Sequence, residues 1–173
     1  MDPNDNSRLT IERATADDVE TVADLWVRLA RDQRRHDSYV RADANRETMR
    51  DTLAAHQVND GLLVARDGGT VVGFASFSVE RGSLQLDATR GVLSNIYVVP
   101  AAREQGVGTA LLEAVEDELA SQGAEVVVLE VMAHNEAARR FYERKGYETY
   151  RVAMERDLGD DRSENDTHSK EDG

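Results

Sequence analysis

Apolar and polar residues alternate at residues 9–13, the period of a strand with one buried face. Residues 15–18, Thr-Ala-Asp-Asp, have the form of a capping box, with Asp18 where Glu or Gln is usual. Val19, Val22, Ala23, Leu25, Trp26, Leu29 and Ala30 then recur at helical spacing and predict a first helix. Residues 33–42 are polar and read as a loop; residues 45–57 predict a second helix with Met49, Leu53 and Ala54 inward. Strand runs at 62–66 and 71–79 flank Asp67-Gly68-Gly69, a hairpin signal. A polar connection at 81–90 precedes a strand at 91–98. A third helix is predicted at 106–122, stopping at Gly123. Residues 126–131 read as a buried strand, 136–145 as a helix ending at Gly146, and 147–156 as a last strand. Residues 157–173 are acidic and aperiodic, which predicts a disordered tail. The order β-α-α-β-β-β-α-β-α-β makes residues 1–156 one domain of the α/β class, with no internal repeat.

The most informative stretch joins the strand at 91–98 to the third helix. The apolar run stops at Pro100, and Arg103, Glu104, Gln105, Gly106, Val107, Gly108 and Thr109 follow. A helix N-terminus has N–H groups without partners and a partial positive charge, so it suits phosphate. Gly106 and Gly108 let a ligand approach the backbone, and Arg103 adds a forked cation. A Walker loop would need a Gly-Lys pair, and no lysine lies here. A dinucleotide fingerprint would use Gly106, Gly108 and the distant Glu130, but Leu111 stands where its third glycine belongs.

The remaining pattern, Arg103-x-x-Gly106-x-Gly108, resembles the acyl-CoA loop of the GCN5-related N-acetyltransferase (GNAT) superfamily. The resemblance extends over about residues 9–155 and is strongest over 93–147. It implies a mixed, mostly antiparallel central sheet splayed between strands 4 and 5. It also implies acetyl-CoA as co-substrate, held by the loop residues 103–109. In the splay, backbone groups of Ile96, Tyr97 and Val98 would pair with the pantetheine arm as an added strand would.

Glu130 interrupts the apolar run at 126–131, where burying a carboxylate is costly unless it has a partner or a task. It reads either as an ion pair with Arg139 or Arg140 or as a general base. Asn135 precedes the fourth helix as an N-cap. Tyr142 reads as one more half-buried aromatic beside Phe141 and Tyr147, or as a proton donor. Leu129-Glu130-Val131 with Asn135 and Tyr142 is similar to the ribosomal-protein N-terminal acetyltransferase branch. That likeness implies Glu130 as proton acceptor, Tyr142 as proton donor to the thiolate, and Asn135 as a contact to pantetheine. His36 and Asp37 fall in a loop that in the resembled fold borders the acceptor channel.

Composition narrows the partners. The chain has 173 residues, 34 acids against 21 bases, and a formal charge of −13. Such an acidic chain is a poor nucleic-acid binder. The bases include only two lysines, Lys145 and Lys170, and the acids are spread along the chain. This pattern implies a salt-adapted cytoplasm, as in halophilic archaea. No apolar segment suggests a leader or a membrane span, so no membrane partner is expected. No cysteine occurs, and no histidine has metal-ligand spacing, so neither an acyl-cysteine nor a metal is expected. The sequence therefore predicts acetyl transfer to a primary amine, a peptide N-terminus or a small amine, in a ternary complex. A homodimer is a further expected assembly. Two other readings are a catalytically silent acyl-CoA sensor and a dinucleotide-dependent oxidoreductase.

Overall fold

The computed structural model describes residues 8–82 and 84–159. Its elements are β1 (Leu9–Arg13), α1 (Val19–Gln33), α2 (Arg46–Val58), β2 (Leu62–Asp67), β3 (Thr70–Val79), β4 (Arg90–Val98), α3 (Val107–Ser121), β5 (Val126–Leu129) and α4 (Glu136–Arg144). The five strands form one sheet in the order β1-β2-β3-β4-β5. Neighbours are antiparallel except β4 and β5, which run parallel. The fold class expected from the sequence is therefore present.

Alternation along the strands gives the sheet two apolar faces. Leu62, Val64, Phe74 and Tyr97 pack in one cluster with Val22, Trp26 and Ala30 of α1 and Leu53 of α2. The opposite face meets α3. A Cβ on Gly91 would fall 2.7 Å from Leu119, and one on Gly73 would fall 3.2 Å from Leu111 and 2.7 Å from the Tyr97 carbonyl. Glycine at position 73 is thus what lets β4 lie this close.

The predicted capping box forms, with the Thr15 N–H donating to Asp18 Oδ2 at 2.8 Å. Asp18 is buried, and Arg66 of β2 reaches both its oxygens at 2.7 Å and also binds Glu12. Burial pulls the Asp18 carboxyl upward, but the Arg66 and Thr15 hydrogen bonds outweigh it and hold it below the ordinary carboxylate range.

The backbone divides into two compact units, Met1–Glu136 and Ala137–Gly173. Two predicted strands are corrected. β5 stops at Leu129 instead of residue 131, and among the described residues no strand follows α4. Residues 147–156 alternate in sequence, yet Tyr150, Val152 and Met154 are exposed. Alternation marks a segment able to pair; only a partner's ladder makes it a strand. Most of the predicted tail, residues 160–173, lies outside the described residues.

Candidate functional site

β4 and β5 pair from Arg90–Val126 to Leu93–Leu129 and then part, while β4 runs on to Val98. On its other side β4 pairs with β3, and there the register shifts: Ser76 faces Asn95 and Phe77 faces Leu93. Ser94 is the extra residue of a β-bulge, which bends a strand and redirects its neighbours. The bulge and the parting thus coincide. Beyond them, Ile96, Tyr97 and Val98 remain tied to Ala75, Phe74 and Gly73 of β3. Among the described residues no strand pairs with their β5-facing side, so an extended ligand can add to that edge.

From Val98 the chain enters a 3-10 turn at Pro100–Ala102 and then reverses through two left-handed residues, Glu104 at φ 62° and Gly106 at φ 80°. A Cβ at Gly106 would have nothing within 4 Å, so glycine serves the backbone conformation and leaves open space in front of it. Ala110 N–H to the Gly106 carbonyl, at 3.0 Å, begins the ladder of α3. The N–H groups of Val107, Gly108 and Thr109 therefore have no preceding turn to bond. The first turn of α3 carries no acid. Donors and dipole together suit a phosphate oxygen, and the parted strands suit an amide-bearing arm.

Arg103 makes a different set of contacts from the one its position suggests. Its Nε donates to the Val98 carbonyl at 2.9 Å, and a terminal nitrogen lies 3.4 Å from Asp32 Oδ2. The guanidinium also lies over the buried Tyr97 ring, 5.5 Å from its centre, and Arg28 lies 5.9 Å from the same ring. Arg103 braces the end of β4 against α1. Glu104 and Gln105 are exposed, Gln105 donating to the Ala101 carbonyl at 3.3 Å; Val107 is buried, and Gly108 and Thr109 are half-buried.

Glu130 directly follows β5 and is exposed. The expected burial is corrected, because β5 is the last strand of the sheet and not a central one. Val128 lies opposite Val92 and Asn95 opposite Ser76, on the α1-facing side, and the alternation of β5 carried one residue further would assign Glu130 to that side too. Asn135 stands immediately before α4, its N–H bonded to the Met132 carbonyl at 2.9 Å. The loop between them meets the loop after α1, with His134 Nε2 3.8 Å from Asp37 Oδ2. Beyond Asp37, a groove of about 420 Å³ runs between α1 and α2, walled by Trp26, Tyr39, Val40 and Met49.

In the second unit, Tyr142 lies between Phe141 and Tyr147, with edge-on ring contacts at 5.3 and 5.7 Å. Burial pushes its phenol up to about 12. It therefore keeps its proton throughout the neutral range. Among the described residues no group of three or more His, Cys, Asp or Glu could hold a metal ion. No described helix is long and apolar enough to cross a membrane.

The loop residues, the free edge of β4, Glu130 and Asn135 all belong to the first unit. Sequence reasoning missed the Ser94 bulge, the Asp37–His134 approach and a Ser76–Asn95 pair across β3 and β4. Only Asn95, a lone amide in an apolar run, left a signal in the sequence.

Residues 20–147 match the Acetyltransferase (GNAT) family. The chain is similar to the uncharacterized N-acetyltransferase YhfO of Bacillus subtilis, 34% identical over 87 residues, 50% of this chain and 58% of that one. It is also similar to the [ribosomal protein bS18]-alanine N-acetyltransferase of Escherichia coli, 43% identical over 63 residues, 36% of this chain and 43% of that one. The chain thus spans less than two thirds of the length of these relatives. A crystal structure of a GCN5-related N-acetyltransferase from Ralstonia eutropha JMP134 has the same fold, with TM-score 0.70 and 23% identity over 87% of this chain and 99% of that one.

Proposed function

Because the chain belongs to the acetyltransferase (GNAT) family, we propose that it moves an acetyl group from acetyl-CoA to a primary amine. The observation that carries this reading is the parting of β4 from β5 at Leu93–Leu129, with the N-terminus of α3 just beyond the end of the freed strand. In this reading residues 96–98 take the pantetheine amides and residues 103–109 the pyrophosphate, with Asn135 beside the arm. The amine nitrogen attacks the thioester carbonyl and the carbon–sulfur bond breaks. Glu130 accepts the proton that the amine sheds, and Tyr142 gives one to the departing thiolate. With no cysteine to form an acyl-enzyme, attack is direct, within a ternary complex. The dinucleotide alternative gives way, because Leu111 is a wholly buried core residue and not the third glycine of a phosphate turn.

The acceptor is a peptide N-terminus or a small amine entering from the groove beside Tyr39 and Val40. Likeness to the ribosomal-protein alanine acetyltransferase favours the peptide, with alanine first. We place the enzyme in a salt-adapted cytoplasm. The −13 charge supports this, as does a surface network in which Arg46 binds Glu20, Asp24 and Glu47 while Arg50 binds Glu20 and Asp51.

The test offers acetyl-CoA and a panel of amines at high salt: an N-terminal-alanine hexapeptide, a lysine-containing peptide blocked at its N-terminus, and spermidine. Free thiol released in step with the mass gain of one acetyl group supports the reading. Calorimetric binding of acetyl-CoA with no thiol release from any acceptor would leave a silent acyl-CoA sensor.

A further inference from the structure

We infer that Asn95 is the residue that holds the acceptor amine, and that Ser76 is the positioning residue behind it; the inference rests on the acetyl-transfer reading. Ser76 is wholly buried in the middle of β3, and Asn95 is half-buried opposite it on β4. Asn95 Nδ2 donates to Ser76 Oγ at 2.9 Å. A buried hydroxyl facing an amide costs more than an apolar pair would, unless both groups are used. This bond uses the hydroxyl oxygen and one amide hydrogen. It also fixes the amide plane, so that Oδ1, with two lone pairs, is turned away from Ser76. Among the described residues the Asn95 side chain makes no other hydrogen bond.

The place matters as much as the bond. Asn95 follows the Ser94 bulge, and β5 has left β4 by that point. Its side chain belongs to the α1-facing side, the same side to which alternation assigns Glu130. A carbonyl oxygen on β4 and a carboxylate just past β5 therefore stand on one side of one opening. A neutral primary amine has two hydrogens and one lone pair. One hydrogen on Asn95 Oδ1 and the other toward Glu130 leave the lone pair directed at the thioester. Asn95 binds but transfers no proton.

The probe is the full chain with acetyl-CoA and the N-terminal-alanine hexapeptide, comparing Asn95→Leu, Asn95→Asp and Ser76→Ala. Asn95→Leu keeps the volume and should lower kcat/KM for the peptide about ten- to a hundredfold, while the acetyl-CoA Kd stays within about twofold. Asn95→Asp keeps an oxygen toward the amine and should recover most of that loss. Ser76→Ala should cost about threefold, through a less confined amide. The inference is overturned if Asn95→Leu leaves the peptide kcat/KM unchanged, if Leu and Asp lose equally, or if the loss tracks acetyl-CoA affinity. Should Asn95→Leu fail to fold, Ser76→Ala still decides it: an unchanged kcat/KM for the peptide refutes the role. Wild-type protein silent toward every amine in the panel would instead remove the reading underneath.

Discussion

Arg103 donates to the carbonyl of Val98 at 2.9 Å, so the cation of the loop before α3 fixes the last residue of β4. Its planar fork does this while lying over Tyr97, a geometry that an ammonium cannot copy. Arg103→Lys should therefore loosen the junction of β4 and α3. We expect a loss of about 0.5–1 kcal/mol, a fall in Tm of about 1–4 °C, and weaker acetyl-CoA binding. Thermal melts and calorimetry on the same preparation check both effects, and a lysine variant equal to wild type in both would dismiss the bracing role.

Gly108 is the second residue of α3, beside the N–H groups that open the helix. A valine there puts a branched side chain into the first turn, next to those donors, at no greater helix-propensity cost than the glycine it replaces. Gly108→Val should stay folded by circular dichroism and lose acetyl-CoA binding in calorimetry. Retained affinity would move the pyrophosphate elsewhere.

The Tyr142 phenol, raised by burial to about 12, stays protonated wherever the enzyme works. Tyr142→Phe should lower kcat about ten- to a thousandfold with acetyl-CoA affinity nearly unchanged. The same shift has a stability sign. The folded pKa lies above the ordinary value of about 10, so the contribution is whole below pH 10 and is lost between about 10 and 12. Alkaline melts of Tyr142→Phe should lack this final decline; an identical alkaline profile would contradict it.

Glu130 is exposed at the end of the edge strand, where water reaches it. As a base it matters most when the amine arrives protonated. Glu130→Gln should lose most activity near and below neutral pH, with rescue near pH 8 for an α-amine and near pH 10 for an alkyl amine, following amine pKa values of about 7.7–8.0 and 10.4. A uniform loss across the pH–rate profile would leave Glu130 as a positioning carboxylate.

Asp18 is ionised and bound by Arg66 in the folded state. Its lowered pKa gives stability that is present above the ordinary carboxylate value of about 3.9 and lost as pH falls through the folded value. Asp18→Asn should cost about 1.5–3 kcal/mol at neutral pH and flatten acid denaturation below about pH 4. Urea titrations at pH 7 and pH 3 read both; the same cost at either pH would refute the ionic origin.

What the sequence disclosed was what neighbouring residues decide. Gly68 and Gly69 both take positive φ in the two-residue β2–β3 turn, as Asp-Gly-Gly led one to expect. Gly123 at φ 95° and Gly146 at φ 91° end α3 and α4 where the pattern placed them. What stayed hidden depends on partners distant in the chain. The Ser94 bulge exists only as a register between β3 and β4, and the Ser76–Asn95 bond crosses that same pair. Arg103 looked free for phosphate because Asp32 lies 71 residues away. Val131 and residues 147–156 have strand-like alternation, but among the described residues neither is part of a strand.

The sheet has one further property: its spatial order, β1-β2-β3-β4-β5, is also the order of synthesis. On a chain leaving the ribosome from its N-terminus, β1 waits through α1 and α2 for its one partner, but every later strand meets a neighbour already translated. β2, β3 and β4 fold back in turn on the strand just finished, and β5 arrives after one helix to an edge already in place. From β2 to β4 the contacts close early and locally, which shortens the interval in which those strand edges are exposed to other nascent chains. The ladder is closed once Leu129 has been added.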